Sequence, residues 1–327
     1  MFFDKYAVGV NVYNLEGRLL TTKITRGRQN NEMQSTTWIA GYDSTRHAIV
    51  LMDKNSRFHI YDSNWKKVYS SSSPWYLYDS SFDQLRWKML YNHPDAETIQ
   101  MYEYNFDCRR LLISNNKIFL PIRTEHINFN GYSKAGARKE YWHKSHTILS
   151  IDSTGNMMLI GSYPDVYLGR KNIPVFANYD LANYAGTIVV SYSADHTIYE
   201  IDSLGMQRAS FGVKDPYISC RYPSTSSFDE YEDSYDKHHE KFGYYSRIAT
   251  SRDILLRTLK RDNGQWVVQV YKDRKHIGNI TTENEIEILG ETDGFWYAVI
   301  EPNYRKELMQ IIRFSIYTDQ GQDLFLQ

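Results

Sequence analysis

The sequence predicts an all-β fold: a six-bladed β-propeller of four-stranded antiparallel blades, with the first blade incomplete at the N-terminus. Three observations predict it. The stretch TIYEIDSLGMQRASF at 197–211 repeats the pattern of TILSIDSTGNMMLIG at 147–161. Related hairpins recur along the chain. Most of these hairpins follow a further pair of strand-like segments.

In TIYEID, Ile198 and Glu200 fall on one face of a strand, and Tyr199 and Ile201 on the other. That period-2 alternation is the mark of a β-strand. Ser-Leu-Gly then makes a turn in which Gly205 can take a positive φ, and MQRASF returns. VNVYNLEGRLL turns after Tyr13, FHIYDSNWKKV after Tyr61 and ILSIDSTGNMM after Ile151. VQVYKDRKHIG turns after Tyr271 and FSIYTDQGQDL after Tyr317. Strand-rich repeats of about 40–50 residues indicate a propeller or a solenoid.

Upstream lies the other half of the unit. One strand ends in an aromatic and Asp, as in AGYD at 40–43, YNFD at 104–107 and ANYD at 177–180. RIATS at 247–251 and LGETD at 289–293 are diverged equivalents. The hydrophobic strands AIVLMD, KIFLPI, TIVVSYS, DILLRTL and FWYAVI follow. The unit is thus four strands, A to D. Complete blades are expected at about 36–70, 98–162, 175–213, 245–280 and 285–327, with only a C–D hairpin at 4–24, all in one domain over 1–327. A single twisted sheet cannot bury both its faces, and radial packing of such sheets can. The absent A–B half of the first blade leads us to expect an N-terminal segment upstream.

Composition narrows the function. The 38 basic and 39 acidic residues give a net charge of −1, so nothing favours a nucleic-acid partner. Aromatics reach 15% with 28 tyrosines, which suits strands and wet binding surfaces. Two cysteines, Cys108 and Cys220, cannot build a disulfide framework. No apolar run approaches the roughly 18–20 residues of a membrane span. The opening MFFDKYAVGV has no apolar signal-peptide core.

The repeated IYEIDSLG, FHIYDSNW and ILSIDSTG turns resemble those of the six-bladed TolB-like β-propeller proteins of Bacteroidetes, mostly uncharacterised envelope proteins. After its first hairpin that family commonly carries a G-x-G-P-x-E segment. The matching stretch here is RGRQNNEM at 26–33: Gly27 and Glu32 fit, while Gln29 and Asn30 stand near the second Gly and the Pro. The resemblance implies a signal peptide or lipoprotein anchor upstream, and a periplasmic or outer-membrane-anchored location. It brings no activity with it.

Antiparallel order puts B–C and D–A connections on one face of a propeller. Three long connections fall there: 71–97, 124–146 and 214–243. Long loops in compact domains are often functional. Their aromatic and polar side chains are the expected binding residues: Trp75, Tyr78, Trp87, Arg123, Tyr132, Tyr141, Trp142, His143, Arg221 and Tyr222. Flat rings beside arginines suit a glycan or a protein surface.

No catalytic or metal-binding residues are assigned, and no cofactor. DEYEDSYDKHHE at 229–240 reads as a solvated loop, and His126, His143 and His146 lack a metal-ligand spacing. KRDNGQW at 260–266 departs from a sialidase Asp box and reads as a turn at Gly264. No G-x-S-x-G elbow, P-loop or dinucleotide fingerprint occurs. The expected function is non-catalytic binding of an envelope protein or glycan outside the cytoplasm. A carbohydrate-active hydrolase or lyase, with its site at the channel mouth on the same face, is the alternative.

Overall fold

The computed structural model describes residues 2–4, 9–14, 16, 18–25, 27, 29, 31–33, 35, 37–43, 46–53, 57–72, 93–105, 107–108, 110–124, 126, 128–131, 135–168, 177–223, 225, 227–300 and 310–317. Every strand pairing among them is antiparallel. The fold is all-β, of the propeller class, with four-stranded blades. The chain divides into two compact units. One comprises Met1–Asn130 and Lys144–Ile160, the other Gly131–His143 and Gly161–Gln327.

The first unit opens with a three-stranded sheet, β1 (Phe2–Asp4), β2 (Gly9–Tyr13) and β3 (Leu19–Lys23). A four-stranded meander follows: β4 (Thr37–Asp43), β5 (Ala48–Asp53), β6 (Arg57–Tyr61) and β7 (Lys67–Ser72). Val10 and Ile24 pack with Ile49, Leu51 and Tyr61 between these two sheets. The third sheet has five strands: β8 (Glu103–Tyr104), β9 (Leu112–Ser114), β10 (Lys117–Arg123), β11 (Ile148–Ile151) and β12 (Met157–Ile160). Both β8 and β9 pair with β10, at opposite ends, so the innermost strand of this blade is broken in two.

The second unit holds β13 (Tyr179–Tyr184), β14 (Thr187–Tyr192), β15 (Ile198–Ile201) and β16 (Gln207–Phe211) in one sheet. ANYD therefore opens strand A of this blade, because Ala185 and Gly186, both at positive φ, make the tight turn into β14. The next sheet is β17 (Tyr244–Ser251), β18 (Ile254–Lys260), β19 (Trp266–Lys272) and β20 (Lys275–Thr282). The last is β21 (Ile286–Thr292), β22 (Phe295–Ile300) and β23 (Gln310–Phe314).

Burial follows position in the blade. The second strands β5 and β18 are buried at every residue, as strands covered on both faces must be. The outer strands β16 and β20 alternate or stay largely open. Ala182, Val189 and Ile198 pack against Ile248, Leu255 and Tyr271, so both facing sheets bury apolar area.

The repeated hairpin has a local cause. At Asp62, Asp152 and Asp202 the side-chain Oδ1 accepts from the N–H groups two and four residues on, all at 2.9 Å. The carboxylate thus organises the turn by itself. The residue three on takes a left-handed φ: Gly155 at 88°, Gly205 at 80° and, without the help of a glycine, Trp65 at 66°. The hydrogen bond from Thr154, with those from Asn156, holds the Asp152 carboxyl down to about 2.

The expectation of six blades is corrected to five: β4–β7, β8–β12, β13–β16, β17–β20 and β21–β23. The outer strand expected for the last falls in 318–327, outside the described residues. The N-terminal hairpin does not belong to a sixth four-stranded blade. It gains only β1 and closes as a three-stranded sheet among the described residues. A hairpin signal reports two strands and a turn. It does not fix how many strands will flank them.

Candidate functional site

The connection 214–243 is half strap, half helix. Its helix, α3 (Phe228–Lys241), follows α1 (Ala135–Lys144) and the four-residue α2 (Asp165–Leu168) in the chain. The stretch expected as a solvated loop is therefore helical. Ser227 caps it, its Oγ accepting from Glu230 N at 3.2 Å. Asp229 and Glu230 sit in the first turn and His238, His239 and Lys241 in the last, the charge order a helix dipole favours. Lys260 of β18 donates Nζ to the carbonyls of His239 and Glu240 at the helix end. Burial lowers the Lys260 pKa.

The strap before the helix is clamped by the turn between β18 and β19. Asp215, with a 1% exposed side chain, takes Arg261 Nε at 3.1 Å on both oxygens and Nη2 at 2.9 Å on Oδ2. Asp262 accepts from Ser219 N at 2.9 Å and Gly243 N at 2.7 Å, and donates its own N–H to Tyr217 O at 3.0 Å. A side chain on Gly243 would collide with Lys260 O at 2.7 Å, so the chain can only pass here as glycine. Tyr222 donates its hydroxyl to Gly243 O at 2.8 Å, and its ring meets Phe242 edge-on.

The outcome is one rigid, outward ring. Tyr217 is 57% exposed, and the Arg261 guanidinium lies 4.6 Å from its ring centroid. Arg221 is exposed further along the same strap, its N–H directed to Ser219 Oγ. A flat ring held still from behind, with charged groups beside it, can stack on a sugar or seat in a protein pocket at low entropic cost.

The other described long connection behaves differently. Tyr141 and Trp142 of α1 are 4% and 2% exposed. Trp142 meets Tyr141 at 4.7 Å, Tyr163 at 4.8 Å and Tyr167 at 5.1 Å. Tyr163 meets Tyr179 and Tyr192, and Tyr192 meets Tyr199. Burial pushes the Tyr163 hydroxyl well above its ordinary pKa. These rings anchor α1 and offer no open face. His143 of the same helix is exposed.

Beside this cluster, Arg257 of β18 is fully buried. It donates to the carbonyls of His196, Tyr192 and Asp195 and stacks 3.8 Å from the Tyr245 ring centroid. Burial lowers its pKa. Its guanidinium ties the 192–196 segment to β18, a role the sequence did not single out.

Arg123, in the first unit, is held by Asp107 at 3.2 Å and Glu103 at 3.5 Å. Trp75, Tyr78, Trp87 and Tyr132 lie outside the described residues. Neither Cys108 nor Cys220 is in a disulfide. Among the described residues no three His, Cys, Asp or Glu side chains gather as a metal site, and no helix is long and apolar enough to cross a membrane. Of the ten expected binding residues, the structure brings Arg221 and Tyr222 into the clamped strap and puts Tyr141 and Trp142 in a buried cluster. Tyr217 was missed. Its signal was its place in the strap, two residues past the Asp that pins it.

No family model matches the chain, and no curated protein matches it. Solved structures do. A member of the DUF4221 family from Bacteroides vulgatus aligns at a TM-score of 0.65 with 13% identity, over 95% of this chain and 87% of that one. A candidate exported protein of Bacteroides fragilis aligns at a TM-score of 0.52 with 11% identity, over 91% and 75%. At such identities the likeness is one of fold.

Proposed function

We propose that the long connections of this protein form a non-catalytic binding face, on a propeller of the Bacteroidetes kind that acts outside the cytoplasm, in the periplasm or anchored at the outer membrane. Its partner is an envelope protein or a glycan, held on the face of the long connections, with 1–327 working as one domain. The observation that carries the reading is the clamped strap: Tyr217 exposed, backed by Arg261, which Asp215 fixes in turn. Arg221 and Tyr222 extend the same strap. In this reading Arg123, His143, Trp75, Tyr78, Trp87 and Tyr132 are further binding residues. The location is supported by the exported character suggested for the Bacteroides fragilis protein and by the envelope family that the hairpin turns resemble.

A thermal-shift screen against glycans, followed by calorimetry with Tyr217→Ala and Arg221→Ala, tests it. A ligand at about 100 times its Kd adds roughly 2.7 kcal/mol to stability. Both substitutions should weaken a glycan or envelope-protein complex at least tenfold while the melting temperature of the unliganded protein stays put. Binding that is unchanged in both variants would remove the strap from the site.

A further inference from the structure

The first unit carries a second polar constellation, within one blade. Asp53 ends β5, His59 lies in β6 and Ser70 in β7. His59 Nε2 is 3.1 Å from Asp53 Oδ2, and His59 Nδ1 is 3.1 Å from Ser70 Oγ. Asp53 is 1% exposed and His59 6%, while Ser70 is exposed. The register makes the contact: His59 stands directly opposite Ser70 across the β6–β7 pair. Asp53 is fixed from its other side by Arg57 N, which donates to Oδ1 at 3.0 Å.

The tautomer follows from the partners. An ionised Asp53 only accepts, so Nε2 carries the proton. Nδ1 is then the acceptor, and the Ser70 hydroxyl donates to it. This is the polarity of a nucleophile, base and orienting carboxylate, which is recognised by geometry and not by order in the chain. It explains how a serine could be activated here in a sequence with no nucleophile elbow.

We propose that Ser70, His59 and Asp53 form an acyl-transfer site acting on carboxylic esters. Ser70 Oγ attacks the ester carbonyl as its proton passes to His59 Nδ1. The tetrahedral adduct then collapses, the C–O bond to the alcohol breaks, and the leaving oxygen takes that proton. Water, deprotonated by Nδ1, attacks the acyl-serine. The carboxylic acid departs and Ser70 recovers its proton. Asp53 steadies the imidazolium in both halves. Ser70 sits on an open outer strand, so the substrate class is an ester borne on an extended chain, such as an O-acetyl group of a polysaccharide lying along the strand.

The experiment is labelling of the full chain with a fluorophosphonate, with peptide mapping, alongside hydrolysis of p-nitrophenyl acetate and of an acetylated polysaccharide. The expected result is a single phosphonyl adduct on Ser70. Ser70→Ala should abolish it, and His59→Gln should slow labelling and hydrolysis by about a thousandfold. Ser70 is exposed, so its alanine variant should melt with the wild type and give a clean control. A wild-type protein that takes no label, or a label that survives Ser70→Ala, would overturn the proposal and leave the three residues as a cross-strand polar relay.

Discussion

Two segments of the second unit, 135–143 and 213–223, start from similar raw material and end in opposite roles. Helix α1 brings a Tyr-Trp pair and buries both rings among Tyr163 and Tyr167. The strap at 213–223 brings tyrosines too, yet leaves Tyr217 outside and spends its buried contacts on Asp215 and Ile218. The difference lies in what fixes each segment. In α1 the aromatic rings themselves are the anchor. In the strap a carboxylate–guanidinium pair and main-chain hydrogen bonds anchor the chain, which leaves the ring available for a partner.

Substitutions can break that comparison. The largest effect should come from Trp142→Ala, at about 3–5 kcal/mol of lost stability in urea unfolding. It should act on binding only through that loss. Next is Asp215→Ala, which leaves Arg261 without its buried carboxylate and should cost about 3 kcal/mol. It should also raise amide exchange across 213–222 and loosen any complex at Tyr217. Gly131→Ala sharpens the α1 side. A Cβ there would meet Trp142 Cζ2 at 2.6 Å, so a loss of about 1–3 kcal/mol is expected.

Tyr217→Ala reverses the pattern, with less than about 0.5 kcal/mol on stability and the main effect on binding. If Tyr217→Ala destabilised the fold as much as Trp142→Ala does, the two connections would not differ as described. The smallest effect is a titration. The Asp152 carboxyl is held below its ordinary 3.8, at about 2, chiefly by Thr154. Its contribution to stability is complete above pH 3.8 and is lost as the pH falls through about 2. Asp152→Asn should flatten that last part of an acid unfolding curve.

How much of this could be read beforehand depends on the reach of each interaction. The turns at Asp62, Asp152 and Asp202 were legible because a carboxylate and the N–H groups two and four residues on are all in one short stretch. The strand pattern of the blades was legible for the same reason, since period 2 is a local property. The in-or-out fate of a ring was not. Trp142 is buried by tyrosines more than twenty residues away, and Tyr217 is braced by an arginine 44 positions on. The Asp53–His59–Ser70 array escaped notice because it depends on β6–β7 register, and a slip of one residue would put Ser70 on the other face. Blade number escaped because β1, a three-residue strand, converts the expected hairpin into a closed three-stranded sheet.

The turn that clamps the strap also has a shelf life. Asn263 and Gly264 form its tip, exposed and with Gly264 at a φ of 86°. An asparagine followed by glycine is the pair most open to succinimide formation, since no side chain shields the attacking nitrogen. Ring opening there would insert an extra backbone carbon and a new negative charge beside Asp262, the residue that holds Ser219, Gly243 and Tyr217 in place. Old protein and fresh protein would then present different surfaces. Peptide mapping of stored samples at 261–266 would date a preparation before any binding experiment is trusted.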